Sequence, residues 1–270
     1  MSTGRRFYKM TGSGNDFVFF DSADGPTTEF EAPDVIQRLC ARGTGVGADG
    51  VVIFSRSGAD KVAIRYYNSD GSGGELCGNA TLCAVRLAEL LGTESDDGLT
   101  IDTDAGDVAA RLVDGLPEID LEPVSSIQPE YSAISLMTRE KRIGFAEVGV
   151  PHVVLEVDDV SGVDVLGRGS QIRRDRSLRA GANVNFLSPG SAGSWRVRTY
   201  ERGVEGETLA CGTGAVASAI MLVEWGKATS PVRLIPKSEL PLTVGLRRNG
   251  AAWDPSLRGN AELVFIGQLP

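Results

Sequence analysis

The chain predicts an α/β fold of two similar halves, each a set of strands wrapped around one buried central helix. Three observations predict it. Residues 74–92, GELCGNATLCAVRLAELLG, and residues 207–226, ETLACGTGAVASAIMLVEWG, share one plan: a glycine-containing loop, a cysteine, an apolar run and a closing glycine. Cys77 and Cys211 are separated by 134 positions (211 − 77). The same offset relates Gly47-Ala48-Asp49 to Gly181-Ala182-Asn183 and Tyr67-Asn68 to Glu201-Arg202. A constant offset over several landmarks is the mark of an internal duplication. The second observation is that both apolar runs lack a polar face, which is the pattern of a buried helix. The third is the recurrence of short β-type runs bounded by Gly, Asn or Asp.

In chain order the strand signals are residues 17–21, 51–55, 62–68, 99–103, 108–113, 152–157, 183–187, 195–201, 240–246 and 262–267. Helical spacing predicts helices over 33–42, 78–91 and 212–225. Prolines interrupt the pattern in GLPEIDLEP, and a boundary is expected near 115–125. The expected domains are 1–118, joined by the C-terminal strand 262–270, and 119–261. At 270 residues each half is long enough to bury its own core.

Composition narrows the function classes. A formal net charge of −9 argues against nucleic-acid or anionic-membrane partners. No run approaches the ~18 uninterrupted apolar residues of a membrane span, and the opening MSTGRRFYKMTGSGNDF has no apolar core of signal-peptide length. Four scattered cysteines, Cys40, Cys77, Cys83 and Cys211, form no disulfide framework, so free thiols in a reducing cytoplasm are expected. A metal site is not expected, since there is no CxxC pair and a single histidine. The G-x-G-x-x-G match over residues 45–50 follows a helix-like segment and precedes a strand, the reverse of the order that dinucleotide binding needs.

The placement of Cys77 and Cys211 carries the chemistry. The first N–H groups of a helix have no internal partner and give that end a partial positive charge. Such an end binds anions and favours a thiolate. Gly78 and Gly212 let a ligand approach the backbone closely. If two such ends face one another, a carboxylate can sit between them with a sulfur on either side of its α-carbon. One thiolate then removes the α-proton while the opposing thiol protonates the other face, which inverts a stereocentre without a cofactor. Taken singly, a cysteine is more often a small buried hydrophobe; two at matched helix starts point to catalysis. Cys40 and Cys83 lie inside helical segments and are expected in the core. On their residues alone, His152 is open between a structural, a surface and a catalytic role, and Asn15, Asn68 and Asn183 could be turn residues. Glu201 and Arg202 could form an exposed ion pair.

NSDGSGGELCGNA and YERGVEGETLACGTGA resemble the two active-site signatures of the diaminopimelate epimerase family. KMTGSGNDFVFFD, GTGVGADGVV, PHVVLEVDD and GANVNF are similar to further family motifs, in the family's order, from Lys9 to about Ala215. The resemblance implies two pseudo-symmetric domains, each a mixed barrel-like sheet around a central helix, and cofactor-independent catalysis. It implies Cys77 and Cys211 as the acid/base pair, with His152 and Glu201 tuning them. It implies Gly78-Asn79 and Gly212-Thr213 as the holders of the α-carboxylate. Asn15, Asn68, Asn183, Glu201 and Arg202 match positions that bind the rest of the substrate, and a homodimer is implied as well. Two departures stand out: Val150-Pro151-His152 where the family has Asn-Pro-His, and Ala80-Thr81-Leu82-Cys83 where it has Gly-x-Arg-Cys. The expected activity is interconversion of LL- and meso-diaminopimelate, in lysine and peptidoglycan-precursor synthesis. The rival expectations are a same-fold racemase of another amino acid, a phenazine-type isomerase, and a non-catalytic carboxylate-binding or redox-sensing protein.

Overall fold

A computed structural model describes residues 4–93 and 98–270; residues 1–3 and 94–97, all within the expected first domain, lie outside the described residues. In chain order the elements are β1 (Arg5–Gly12), β2 (Asn15–Asp21), α1 (Pro33–Cys40), β3 (Gly50–Arg56), β4 (Lys61–Asn68), β5 (Gly73–Gly74), α2 (Gly78–Leu90), β6 (Leu99–Thr103), β7 (Gly106–Val113) and β8 (Leu116–Asp120). There follow β9 (Ile127–Gln128), β10 (Glu140–Val148), β11 (Val150–Val157), α3 (Val165–Arg173), β12 (Asn183–Pro189), β13 (Trp195–Glu201) and β14 (Gly206–Thr208). The chain ends with α4 (Gly212–Glu224), β15 (Val232–Ile235), β16 (Leu242–Asn249), β17 (Ala252–Gly259) and β18 (Ala261–Leu269). It divides into two compact units, one of residues 1–119 and 259–270, the other of residues 120–258.

In the first unit β1 pairs antiparallel with both β18 and β2, β2 runs parallel to β3, and β3 is antiparallel to β4. β4 pairs antiparallel with β5 and parallel with β6, which leads through antiparallel β7 to β8. The second unit repeats this plan. β10 pairs antiparallel with β9 and β11, β11 runs parallel to β12, and β12 is antiparallel to β13. β13 pairs antiparallel with β14 and parallel with β15, which is antiparallel to β16. Each parallel step is a crossover connection through a helix, α1 or α3 for one and α2 or α4 for the other.

Each unit is layered. One face of β2 and β3, carrying Val18, Phe20, Val51 and Ile53, packs with Ile36 and Leu39 of α1. The same face of β11 and β12, carrying Val153, Leu155, Val184 and Phe186, packs with Val165 and Ile172 of α3. The opposite faces cover the central helices. α2 is in contact with β1, β2, β3, β4, β6, β7 and β18, and α4 with β10, β11, β12, β13, β15 and β16. Encirclement explains the missing polar face: Ala80 through Val85 and Ala215 through Leu222 are all buried. Both helices stop at matched positions, where Gly92 (φ 75) and Gly226 (φ 66) adopt the left-handed conformation that closes a helix.

The predicted fold class is therefore observed, with local differences. Residues 116–120 are the strand β8 and not an interruption; Pro117 does not stop it because Leu116 and Glu118 continue the ladder with β7 (Val113↔Leu116, Arg111↔Glu118). α3 carries no prediction, since two glycines dilute its apolar spacing; Asp164 starts it by accepting from the Gly167 N–H at 2.9 Å. The helix expected over 33–42 ends at Cys40. Among the described residues no helix is long and apolar enough to cross a membrane.

Candidate active site

At the first helix start the loop after β5 enters Cys77 in extended conformation (φ −126, ψ 109), and α2 begins at Gly78. The backbone turns here because the Cys77 carbonyl already accepts the Thr81 N–H, with the Thr81 hydroxyl adding a second bond, both at 2.9 Å. Asn79 is buried and donates to Asn15 Oδ1 at 2.6 Å. Asn15 in turn donates to Asp49 Oδ2 at 2.8 Å, and the Asp16 N–H donates to the same oxygen at 3.2 Å. Arg42 bridges Asp16 and Asp49 at 2.6 and 2.7 Å, while the buried Lys9 ammonium meets Asp16 at 2.6 Å and also donates to the Gly47 carbonyl. Burial pushes the Asp16 carboxyl up, but Arg42 and Lys9 outweigh it and hold it below the usual range. An ionic chain thus anchors two asparagines beside Cys77. Asn79 Oδ1 is buried without a hydrogen-bond partner among the described residues, an acceptor left available.

At the second helix start Cys211 is again extended (φ −136, ψ 113) and its sulfur caps α4, accepting from the Gly214 N–H at 3.4 Å. The Thr213 hydroxyl lies 3.6 Å from the same sulfur. A backbone N–H aimed at sulfur stabilises negative charge there. Behind this turn lies a neutral polar row. His152, with no exposed surface, has Nδ1 3.2 Å from Asn185 Nδ2; that amide also donates to the Val153 carbonyl at 3.2 Å. Thr199 Oγ1 donates to Asn185 Oδ1 at 2.9 Å. Burial, with a smaller contribution from Arg202, pushes His152 down to about 3, so the ring is neutral at neutral pH. A Cβ at Gly214 would stand 2.4 Å from Asn185 Oδ1, so only glycine lets the first turn of α4 lie against that amide.

The remaining expected residues fall into two groups. Asn183 is buried and its Oδ1 accepts the Arg202 N–H at 2.7 Å, while the Arg202 guanidinium reaches the Ala180 carbonyl at 3.1 Å. Glu201, half-buried, ends β13 beside them. Asn68 lies at the end of β4, opposite Gly50, with Tyr66 donating to its Oδ1 at 2.9 Å and its Nδ2 reaching Ser72 Oγ at 3.1 Å. Cys40 and Cys83 are in the core; burial pushes Cys40 up to about 11 and Cys83 well above the usual thiol range, which suits neither to a thiolate role. Among the described residues no group of three His, Cys, Asp or Glu could hold a metal ion.

Sequence reasoning missed Asn185, Thr199 and Gly214 in one unit, and Lys9, Asp16, Arg42 and Asp49 in the other, as supports of the site. Asn185 carried a usable signal. It is an amide inside NVNFL, a strand buried over its whole width, and a buried amide must be hydrogen-bonded.

A family profile described as Diaminopimelate epimerase matches residues 7–122 and 144–239. A diaminopimelate epimerase from Gemmatimonas aurantiaca is 45% identical over 274 residues, covering 97% of this chain and 98% of that protein. One from Aquifex aeolicus is 36% identical, covering 97% of each chain. Among solved structures, a phenazine biosynthesis protein of the PhzF family from Bacillus anthracis aligns with a TM-score of 0.74 at 16% identity, covering all of both chains. A probable proline racemase from Agrobacterium radiobacter, with bound carbonate, aligns with a TM-score of 0.67 at 15% identity, covering 98% of this chain and 93% of that one. At such identities the structural likenesses establish the fold.

Proposed function

The chain belongs to the diaminopimelate epimerase family, and from that premise we propose that it interconverts LL- and meso-diaminopimelate by moving the α-proton between two cysteines, without a cofactor. The observation that carries the reading is the pair of extended cysteines, Cys77 and Cys211, each standing immediately before the first residue of a buried helix in equivalent positions of a duplicated fold. The proposal requires both helix starts to address one substrate. The N–H groups after Cys77 and Cys211 then hold its α-carboxylate, with Asn79 and Thr213 beside them. One cysteine, as thiolate, takes the Cα–H proton. The electron pair left on carbon spreads into the carboxylate, where the helix N–H groups stabilise it. The other cysteine delivers its thiol proton to the opposite face and becomes the thiolate for the reverse reaction.

Asn15, Asn68 and Asn183 are assigned to the distal amino-acid group, with Arg202 meeting its carboxylate and Glu201 its ammonium. His152 and Glu201 are assigned to tuning the cysteines. The reading extends to a cytoplasmic homodimer serving lysine and peptidoglycan-precursor synthesis.

Incubation with LL-diaminopimelate in deuterium oxide tests it. The expected result is α-deuterium in the product together with the meso isomer; neither deuterium nor stereochemical change refutes the assignment. A second reading has one observation in its favour. Val150 occupies, in the β10–β11 turn, the place that Asn15 takes in the β1–β2 turn, and it is half-buried and apolar. An amide that pairs a polar substrate group discriminates in a way an apolar side chain does not. Racemisation of another amino acid, with diaminopimelate inert, favours this same-fold racemase.

A further inference from the structure

The buried row His152, Asn185 and Thr199 bears on one question of protonation: which ring nitrogen of His152 carries the proton. Three adjacent strands set the row. β11 and β12 run parallel with His152↔Asn183 and Val154↔Asn185, so residues 152 and 185 share the face turned to α4. β12 and β13 are antiparallel with Asn185 directly opposite Thr199. Every atom of the Asn185 amide is then constrained by its neighbours. The Val153 carbonyl can only accept, so the atom 3.2 Å from it is the amide nitrogen. The same nitrogen is 3.2 Å from His152 Nδ1. A donor facing Nδ1 makes Nδ1 an acceptor. In a neutral imidazole with Nδ1 accepting, the proton is on Nε2. The Asn185 oxygen, turned the other way, takes the Thr199 hydroxyl at 2.9 Å. Gly214 closes the arrangement, since any larger residue would displace that oxygen.

We propose that Asn185 is a positioning residue that fixes His152 as the Nε2–H tautomer and holds the ring in one orientation against the first turn of α4. His152 Nε2 is itself buried and has no hydrogen-bond partner among the described residues. The tautomer therefore presents a buried, unspent N–H donor, a group that is costly unless a ligand or a charged atom meets it. A donor at this nitrogen suits a thiolate or a substrate oxygen, and the reversed tautomer would present a lone pair and repel either. This consequence for turnover rests on the epimerase reading; the tautomer itself does not.

His152 is the only histidine in the chain, so nitrogen-15 labelling of histidine gives one unambiguous pair of ring signals. In the full-length protein the expected spectrum shows a pyrrole-type Nε2 and a pyridine-type Nδ1, unchanged between about pH 6 and pH 8, where an ordinary histidine titrates. Asn185→Asp, which replaces the donor facing Nδ1 by an oxygen, is expected to protonate Nδ1 and to lower kcat by about 10²-fold, the scale of a misplaced catalytic group, with KM changed less than kcat. Thr199→Val leaves the amide nitrogen against Val153 and is expected to preserve the tautomer. A wild-type spectrum with Nδ1–H, or with averaged tautomers, overturns the proposal without recourse to any variant. So does an unchanged tautomer in folded Asn185→Asp. If the protein fails to act on diaminopimelate while the wild-type spectrum is as expected, the substrate reading falls and the tautomer assignment stands.

Discussion

The row of side chains on the helix-facing side of the sheet differs between the two units more than the backbone does. In the first unit the ladder sets Phe17 and Phe19 of β2 beside Val52 of β3, opposite Tyr66 of β4. The rings of Phe17 and Tyr66 meet edge-on at 6.0 Å. The same register in the second unit carries His152, Asn185 and Thr199. Both rows lie beside a helix introduced by cysteine, and both helices span 13 residues. The aromatic and aliphatic row asks mainly for volume, with the Tyr66 hydroxyl alone directed to a polar partner, Asn68 Oδ1. The polar row needs specific partners, because an unpaired buried polar group costs about 1–3 kcal/mol; Asn185 meets His152, Val153 and Thr199, and the row imposes glycine at 214 where the first unit has Ala80. The first unit gathers polar apparatus around the start of β2 instead, where Lys9, Asp16, Arg42 and Asp49 steady Asn15 and Asn79. The two units share one frame; the side chains that support the cysteine-led helix start differ.

Four measurements test this difference between the units. The largest effect is expected where the units are equivalent. Cys77→Ser and Cys211→Ser should each reduce epimerisation by about 10²–10⁴-fold, the contribution of a general acid or base. A variant that keeps full activity ends the symmetry of roles. Next comes the matched pair at the third helical residue. Gly214→Ala should push against Asn185, cost about 1–3 kcal/mol by overpacking and lower kcat by about 10²-fold through the displaced ring. Ala80→Gly should cost only the ~1 kcal/mol of lost helix propensity, with kcat nearly unchanged. Equal kinetic losses would show that the two helix starts are supported alike.

The third concerns acid stability. His152 is held down to about 3 in the fold, against about 6.5 for an unfolded chain. Between these values the unfolded chain binds the proton and the folded chain does not. Wild-type stability therefore falls as pH drops below about 6.5, by up to about 1.4 kcal/mol per pH unit. His152→Phe, which installs the first unit's residue, lacks this slope. Denaturant titrations at pH 7 and pH 5 should show a loss about 2 kcal/mol larger in wild type than in the variant; parallel losses contradict a neutral buried ring. The smallest effect is expected at Asp49→Asn, which weakens the anchor of Asn15. KM should rise by about tenfold, the loss of one charge-assisted hydrogen bond, with kcat little changed. A fall in kcat alone would place Asn15 at the chemistry and not at substrate binding.

The halves, the two central helices and most strands were legible because their signals are local: an offset, an apolar run, a glycine stop. α3 was hidden by its own glycines, and β8 by a proline the ladder tolerates. Cys77 and Cys211 could be singled out because a thiol at a helix start has a recognisable chemistry. Asn185 could not be tied to His152 from spacing, since the 33 positions between them say nothing of a parallel ladder register. Nor does the sequence around Asp49 reveal that one carboxylate oxygen serves both Asn15 and the backbone of Asp16.

The pairing of β1 with β18 has a consequence for synthesis. Residues 120–258 of the second unit form one uninterrupted stretch of the chain, and domains generally fold as units in the order they are made. The first unit, begun earlier, waits with one edge of β1 bare until the final strand arrives. The half of the molecule made first is the half finished last, and a chain stopped a dozen residues short would leave that edge open to foreign strands.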